Sequence, residues 1–332
     1  MRPLQNSSGD LVVDRRAGFA AALARDKDFS AAAEVMASAM EERPGWTAGW
    51  SLLGDYRAEA GDSAGAIAAY EQLARLDADG VFGAGLKLAA LGATPPPRGT
   101  EIAYVESLFD DYAGRFDREL VVGLGYTAPA RLAALVEAEL RRRGVEQAGH
   151  ALDLGCGTGL MGERLRRRAS FLEGVDLSGA MVEAAGRKRV YDRLHKAELT
   201  AFLAGHAGGG DLMAAADVLN YCGALAPILG AAFGRLAPGG LFAFTLERHE
   251  GPEPMLLQAS LRYAHNETAA LAACRDAGFA IVASEASPLR TDRGAPVPGL
   301  LLLVRKPDRA MAELSAAEAE LVAETMPLVA LK

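Results

Sequence analysis

Between Ala151 and Gly162 the chain reads ALDLGCGTGLMG, a set of residue types suited to holding a small ligand. A short apolar run (Ala151, Leu152, Leu154) carries one acid, Asp153, and then breaks into Gly155, Gly157 and Gly159. Glycines at alternate positions let the backbone take positive φ and let a ligand lie close against it. Cys156 and Thr158 fill the positions between, and Cys156 reads as a small space-filler rather than a nucleophile. The pattern predicts a buried strand turning sharply into a helix that opens with LMGERLRRR. The N–H groups at such a helix start hold anionic groups. Further on, FLEGVDLS predicts a second strand ending in Asp176, placed to bind ribose hydroxyls.

Two ligands compete for this cradle. Gly157-Thr158-Gly159-Leu160-Met161-Gly162 matches the dinucleotide fingerprint G-x-G-x-x-G. Asp153, however, stands two residues before the first glycine, where a carboxylate would repel a pyrophosphate. Beside the ammonium and sulfonium of S-adenosylmethionine the same charge is attractive. The D-x-G-x-G-x-G order therefore favours the sulfonium compound.

The elements that must position these residues alternate strand and helix from Gly149 on. Strands are expected at ALDLG, FLEGVD, LHKAEL, DLMAAADVL, GLFAFTLE, AGFAIVASEA and GLLLLVRK. Seven strands with intervening helices imply an α/β, doubly wound, mostly parallel sheet over residues 127–307. The last two are joined by a loop, SPLRTDRGAPVP, with no room for a crossover helix, and should pair antiparallel. A C-terminal helix with a Ser315/Glu318 capping box is expected within 308–332.

Residues 1–93 read as an all-α domain with a 34-residue period. Ala32 recurs as Ala66 and Met36 as Tyr70. Trp50, Leu53, Gly54, Gly61, Ala66 and Tyr70 fall in the order of a tetratricopeptide repeat, giving two repeats and a closing helix near Val81–Leu91. The proline-rich linker 94–100 follows. Within 101–126, Tyr104, Leu108, Phe109, Tyr112 and Phe116 form a near-helical stripe that suits either core or a lid.

Composition excludes several classes. The net charge is −8, with 9 basic against 13 acidic residues up to position 93 and 26 against 30 after it, so neither part is a nucleic-acid binder. Arg164, Arg166, Arg167 and Arg168 read as a solvated helix face. Three scattered cysteines argue for a reducing compartment and show no metal-ligand spacing. No signal-peptide or membrane-span run is present, so a cytoplasmic location is expected.

Residues 100–307 resemble class I S-adenosylmethionine-dependent methyltransferases, on ALDLGCGTG, GVDLSGAMVEAA, LHKAEL, DLMAAADVLNY and LAPGGLFAFTLE in that order. The N-terminal part resembles the tetratricopeptide module of bacterial methyltransferases that carry such repeats. The resemblance implies a Rossmann-like fold in which Gly155 to Gly159 contact the methionine part of the cofactor and Asp176 bonds the ribose. It places Leu177 and Met181 beside the adenine and Glu198 at its amino group, although a longer acid there departs from the usual Asp. Leu199 would add a backbone contact, and Asp217, Val218 and Tyr221 would face cofactor and substrate. Arg262, Tyr263 and His265 resemble the R-Y-x-H stretch of repeat-bearing relatives. Arg262 would hold an anionic substrate group and His265 would take a proton; Tyr112 is the other catalytic candidate, from the lid. His265 also has a plain reading as a helix-start residue bonded to backbone, while His150, His195, His206 and His249 read as surface or loop residues.

The implied reaction is in-line methyl transfer that leaves S-adenosylhomocysteine, with no metal. The D/N-P-P-Y/F element of amino-directed DNA methyltransferases is missing from ADVLNYCGAL, and no Pro-Cys nucleophile occurs. The tandem-acid loop of protein-arginine enzymes is also missing. A small-molecule O or N acceptor is the first expectation. A protein or carrier-bound substrate docked by the repeats, which could equally mediate self-association, is the second, and a non-catalytic cofactor-binding interaction protein the third.

Overall fold

A computed structural model describes residues 7–119, 125–205, 209–292 and 294–308. The expected C-terminal helix and His206 lie outside the described residues. The chain divides into two compact units.

One unit holds the described residues up to Tyr112 together with Tyr221–Gly223 and Leu256–Tyr263. Its helices are α1 (Leu11–Arg25), α2 (Phe29–Glu42), α3 (Thr47–Glu59), α4 (Ser63–Leu76), α5 (Ala84–Ala90) and α6 (Ile102–Tyr112). The 34-residue spacing of the sequence is also a structural one, since α2 and α4 begin and end 34 residues apart. Each follows an aspartate, Asp28 or Asp62, whose carboxylate accepts an N–H of the first turn. Leu53, Ala66 and Tyr70 are buried. A Cβ on Gly54 would lie 2.2 Å from the Tyr70 ring, so α3 and α4 meet where only glycine fits. The Tyr70 hydroxyl donates to Asp55 at 2.8 Å, and Lys87 of α5 binds the same carboxylate at 2.5 Å. The stripe on α6 is used in this unit. Tyr104 lies over Gly83, and Phe109 meets Tyr221 edge to face at 5.3 Å.

The second unit holds the described residues of Ala113–Asn220, Ala224–Met255 and the chain from Ala264 on. Its frame is β1 (Ala148–Leu154), β2 (Ala169–Asp176), β3 (Arg193–Lys196), β4 (Gly210–Ala215) and β5 (Leu236–His249), parallel in the order β3-β2-β1-β4-β5. Around the sheet lie α7 (Ala128–Arg142), α8 (Leu160–Leu165), α9 (Gly179–Lys188), α10 (Leu199–Gly205), α11 (Ala226–Arg235) and α12 (Glu267–Asp276). Leu132 and Val136 of α7 pack with Ala151, Leu172, Leu212 and Leu241 of the strands. Strands covered on both faces read as continuous apolar runs, which is why the sequence pattern located them.

The end of the sheet departs from expectation in three places. β8 (Ala280–Asp292) and β9 (Ala295–Arg305) do pair antiparallel, but they absorb most of SPLRTDRGAPVP, which is therefore the arms of a hairpin and not a loop. Two short strands that the sequence pattern missed, β6 (Met255–Leu257) and β7 (Tyr263–Asn266), make nine in all. β7 runs parallel to the last residues of β5, with His265 opposite Arg248. The third and fourth expected strands are shorter than read: Leu199 opens α10, and Leu219–Tyr221 is a 3-10 turn beyond β4.

Candidate functional site

The glycine turn sits at the carboxyl end of β1, between the ends of β2 and β4, where open parallel sheets bind ligands. Gly155, Gly157 and Gly159 take φ of +66°, +52° and +96°, so all three need the freedom that glycine has. Cys156 N–H donates to the Val175 carbonyl at 2.9 Å and Gly159 N–H to the Cys156 carbonyl at 2.8 Å. These bonds fold the turn against β2. Burial pushes the Cys156 thiol up, the opposite of what a nucleophile needs.

Asp176 fastens the turn from the neighbouring strand. Its Oδ2 accepts Gly157 N–H and its Oδ1 accepts Ser178 N–H, each at 2.8 Å. The helix cap of α9 is Ser178, which accepts Met181 N–H, so Asp176 is left to the turn. A Cβ on Gly157 would meet nothing nearer than Phe116 at 4.0 Å, so there is room above the turn.

Asp153 occupies a different place from the one its sequence position suggests. It is 1% exposed and accepts the Tyr191 hydroxyl at 2.6 Å. Burial pushes its carboxyl up to about 7, opposed by the Tyr191 bond and reinforced by Asp176. Its charge is therefore held under the turn and partly neutralised near pH 7. Tyr191 is a pillar there: a Cβ on Gly162 would lie 2.2 Å from its hydroxyl, and one on Gly174 2.9 Å from its ring.

The segment after α6 lies on the same turn. Thr158 donates to Asp117, Asp117 pairs with Lys188 at 3.0 Å, and Lys188 also reaches Glu163 at 3.3 Å. Behind the turn, Val218 closes on Gly155, where a Cβ would lie 2.5 Å from its Cγ2. Asp217, at φ +63°, is bound by Arg290, which also binds Glu247, and its N–H donates to Thr245 Oγ1 at 2.8 Å.

Other expected contacts are distributed more widely. Leu177 is half-buried, whereas Met181 is 0% exposed on the buried face of α9. Glu198 uses its two oxygens to accept Thr200 and Ala201 N–H at 2.9 and 2.7 Å, capping α10, and Leu199 is half-buried behind it. His265 is 3% exposed on β7 at the carboxyl end of β5, a strand residue rather than a helix start. Tyr112, Tyr221, Arg262 and Tyr263 belong to the helical unit. Within it Tyr263 is 1% exposed and donates to the Pro97 carbonyl at 2.5 Å, so its hydroxyl is committed to the linker. His150 and His195 are not loop residues: they lie on β1 and β3 beside buried Glu173, at 3.7 and 3.2 Å. The arginine cluster is also less open than read, because Arg166 binds Asp192 and the Ala169 carbonyl at 2.7 and 2.6 Å. Among the described residues no group of three His, Cys, Asp or Glu side chains converges as a metal site, and no helix is long and apolar enough to cross a membrane.

Residues 152–242, from β1 to β5, match the family model described as a methyltransferase domain. Over these residues the chain is similar to methyltransferase domains. The matched stretch contains the glycine turn, Asp176, Glu198 and Asp217. A 96-residue stretch is 33% identical to the ubiquinone biosynthesis O-methyltransferase of Psychrobacter cryohalolentis, covering 27% of this chain and 37% of that protein. A 93-residue stretch is 38% identical to the trans-aconitate 2-methyltransferase of Pseudomonas paraeruginosa, covering 27% and 33%. The chain spans little more than a third of the length of these curated relatives. The solved structure of the 4+2 cyclase SpnF aligns at a TM-score of 0.51 and 19% identity, over 64% of this chain and 98% of that one. That likeness concerns the fold alone, and a fold does not fix a chemistry. At this turn Gly157 keeps an open face and Asp176, the last residue of β2, is bonded to it.

Proposed function

We propose that the protein is an S-adenosylmethionine-dependent methyltransferase that moves a methyl group to an oxygen or nitrogen of a small molecule. The observation that carries this reading is the left-handed glycine turn tied to Asp176 through Gly157 N–H, inside the matched domain. Bound S-adenosylmethionine supplies a sulfonium methyl already activated for in-line displacement. Gly155 to Gly159 hold its methionine part, Asp176 its ribose hydroxyls, and Leu177 one side of its adenine. Asp117 and Phe116 restrict water above the turn. His265, at the carboxyl end of β5, is the candidate to take the acceptor's proton. Arg262 is the candidate contact for an anionic substrate group. A reducing, cytoplasmic setting, expected from three scattered cysteines, belongs to this reading.

The second reading is a protein or carrier-bound substrate docked by helical repeats of the tetratricopeptide kind. One observation favours it: α1 exposes Leu11, Val12 and Phe19 at 77, 54 and 59%. The full chain supplied with methyl-labelled S-adenosylmethionine and a cell extract separates the two. Label in the small-molecule fraction supports the first reading, and label confined to protein replaces it with the second. Cofactor binding with no label transferred would overturn both.

A further inference from the structure

Arg290 lies in the stretch that the sequence pattern read as a loop, yet it is 6% exposed on β8. Its guanidinium donates through Nη1 to Asp217 and through Nη2 to Glu247, and the Glu247 side chain is 2% exposed. A planar fork with fixed donor directions suits such a double contact, and a lysine could not reproduce it. The two carboxylates come from different elements, the turn after β4 and the carboxyl end of β5, so the fork staples β8 to both. Asn220 lies 3.3 Å from the same Glu247 oxygen.

Asp217 is one of four non-glycine residues with positive φ among the described residues. That conformation is uncommon for a residue with a side chain and persists only where its surroundings enforce it. Here two bonds enforce it: Arg290 on the carboxylate and Thr245 Oγ1 on the N–H. The next residue, Val218, closes the space behind Gly155.

We propose that Arg290 is a positioning residue for the glycine turn, fastening Asp217 and Glu247 so that the left-handed turn at Asp217 holds Val218 against Gly155. This rests on the reading of that turn as the cofactor cradle. Without the guanidinium, the buried Glu247 and the half-buried Asp217 lose a shared counter-charge, and the turn at Asp217 loses one of the two bonds that keep it left-handed. Val218 then withdraws and Gly155 loses its backing. The effect belongs to cofactor affinity and not to the chemical step.

The test measures S-adenosylmethionine binding by calorimetry on the full chain, unaltered and as Arg290→Met and Arg290→Lys, with melting temperatures recorded alongside. Arg290→Met should raise the dissociation constant about tenfold or more, the scale of one charge-assisted hydrogen bond. Arg290→Lys, which keeps the charge without the fork, should recover part of the loss. With any acceptor that turns over, KM for the cofactor should rise while kcat at saturating cofactor is little changed. If Arg290→Met does not fold, Thr245→Val carries the test, because it removes the acceptor of Asp217 N–H with little change in shape. A folded Arg290→Met chain that binds as tightly as the unaltered one, or an unchanged Thr245→Val where that variant is the one used, would overturn the proposal. If the unaltered chain binds no S-adenosylmethionine, the functional reading itself falls, an outcome distinct from equal binding by both.

Discussion

Asp176 accepts Gly157 N–H on one oxygen and Ser178 N–H on the other, so a single carboxylate ties the glycine turn to the segment that opens α9. Asp176→Ala should weaken S-adenosylmethionine binding about tenfold or more, by loss of charge-assisted bonds; calorimetry would register an unchanged dissociation constant as evidence against the ribose assignment. Asp153 behaves differently because burial raises its carboxyl to about 7 from an ordinary value of 3.8. Folded protein therefore holds a proton that the unfolded chain releases between those values. The stability this proton confers is full below the unfolded value and is lost as pH rises through about 7. The slope approaches about 1.4 kcal/mol per pH unit in that window. Asp153→Asn should flatten the fall in melting temperature between pH 4 and 7; a variant as steep as the parent would show that Asp153 is not its source. The glycines and Asp176 were legible because their types are forced by backbone conformation and ligand chemistry. Arg290, Tyr191 and Asp117 were not, since each acts through a partner distant in sequence.

At the level of elements, the strongest regularity is the aspartate that opens both α2 and α4. Asp28→Ala and Asp62→Ala should each cost about 1 kcal/mol, the usual scale of a lost N-cap. Urea unfolding of each variant would measure it, and no loss in either would mean that the caps are replaced by water. The 34-residue spacing was readable because apolar positions recur, Ala32 as Ala66 and Met36 as Tyr70, while the glycine-against-tyrosine crossing of Gly54 and Tyr70 marks the second unit. The β8–β9 hairpin was not readable in full. Pro288, Pro296 and Pro298, with Arg290 and Asp292, give its arms the composition of a loop, while Leu289 and Arg290 within them are buried. Met181 and Glu198 show the same limit for motif reasoning. A motif position fixes where a residue falls in the chain, whereas packing decides whether its side chain reaches a ligand or caps a helix.

For the molecule as a whole, the acidic balance argues against nucleic acid as acceptor. Added RNA or DNA should take up no methyl label under conditions where an extract does, and incorporation into either would require a different substrate class. The account as a whole depends on which ligand the turn prefers. Calorimetric titration of the full chain with S-adenosylmethionine, S-adenosylhomocysteine and NAD tests that choice directly. The prediction is saturable one-to-one binding of the two sulfur compounds, weakened in Asp176→Ala, and no heat from NAD. Binding of NAD with the sulfur compounds inert would contradict it and leave only the architecture standing.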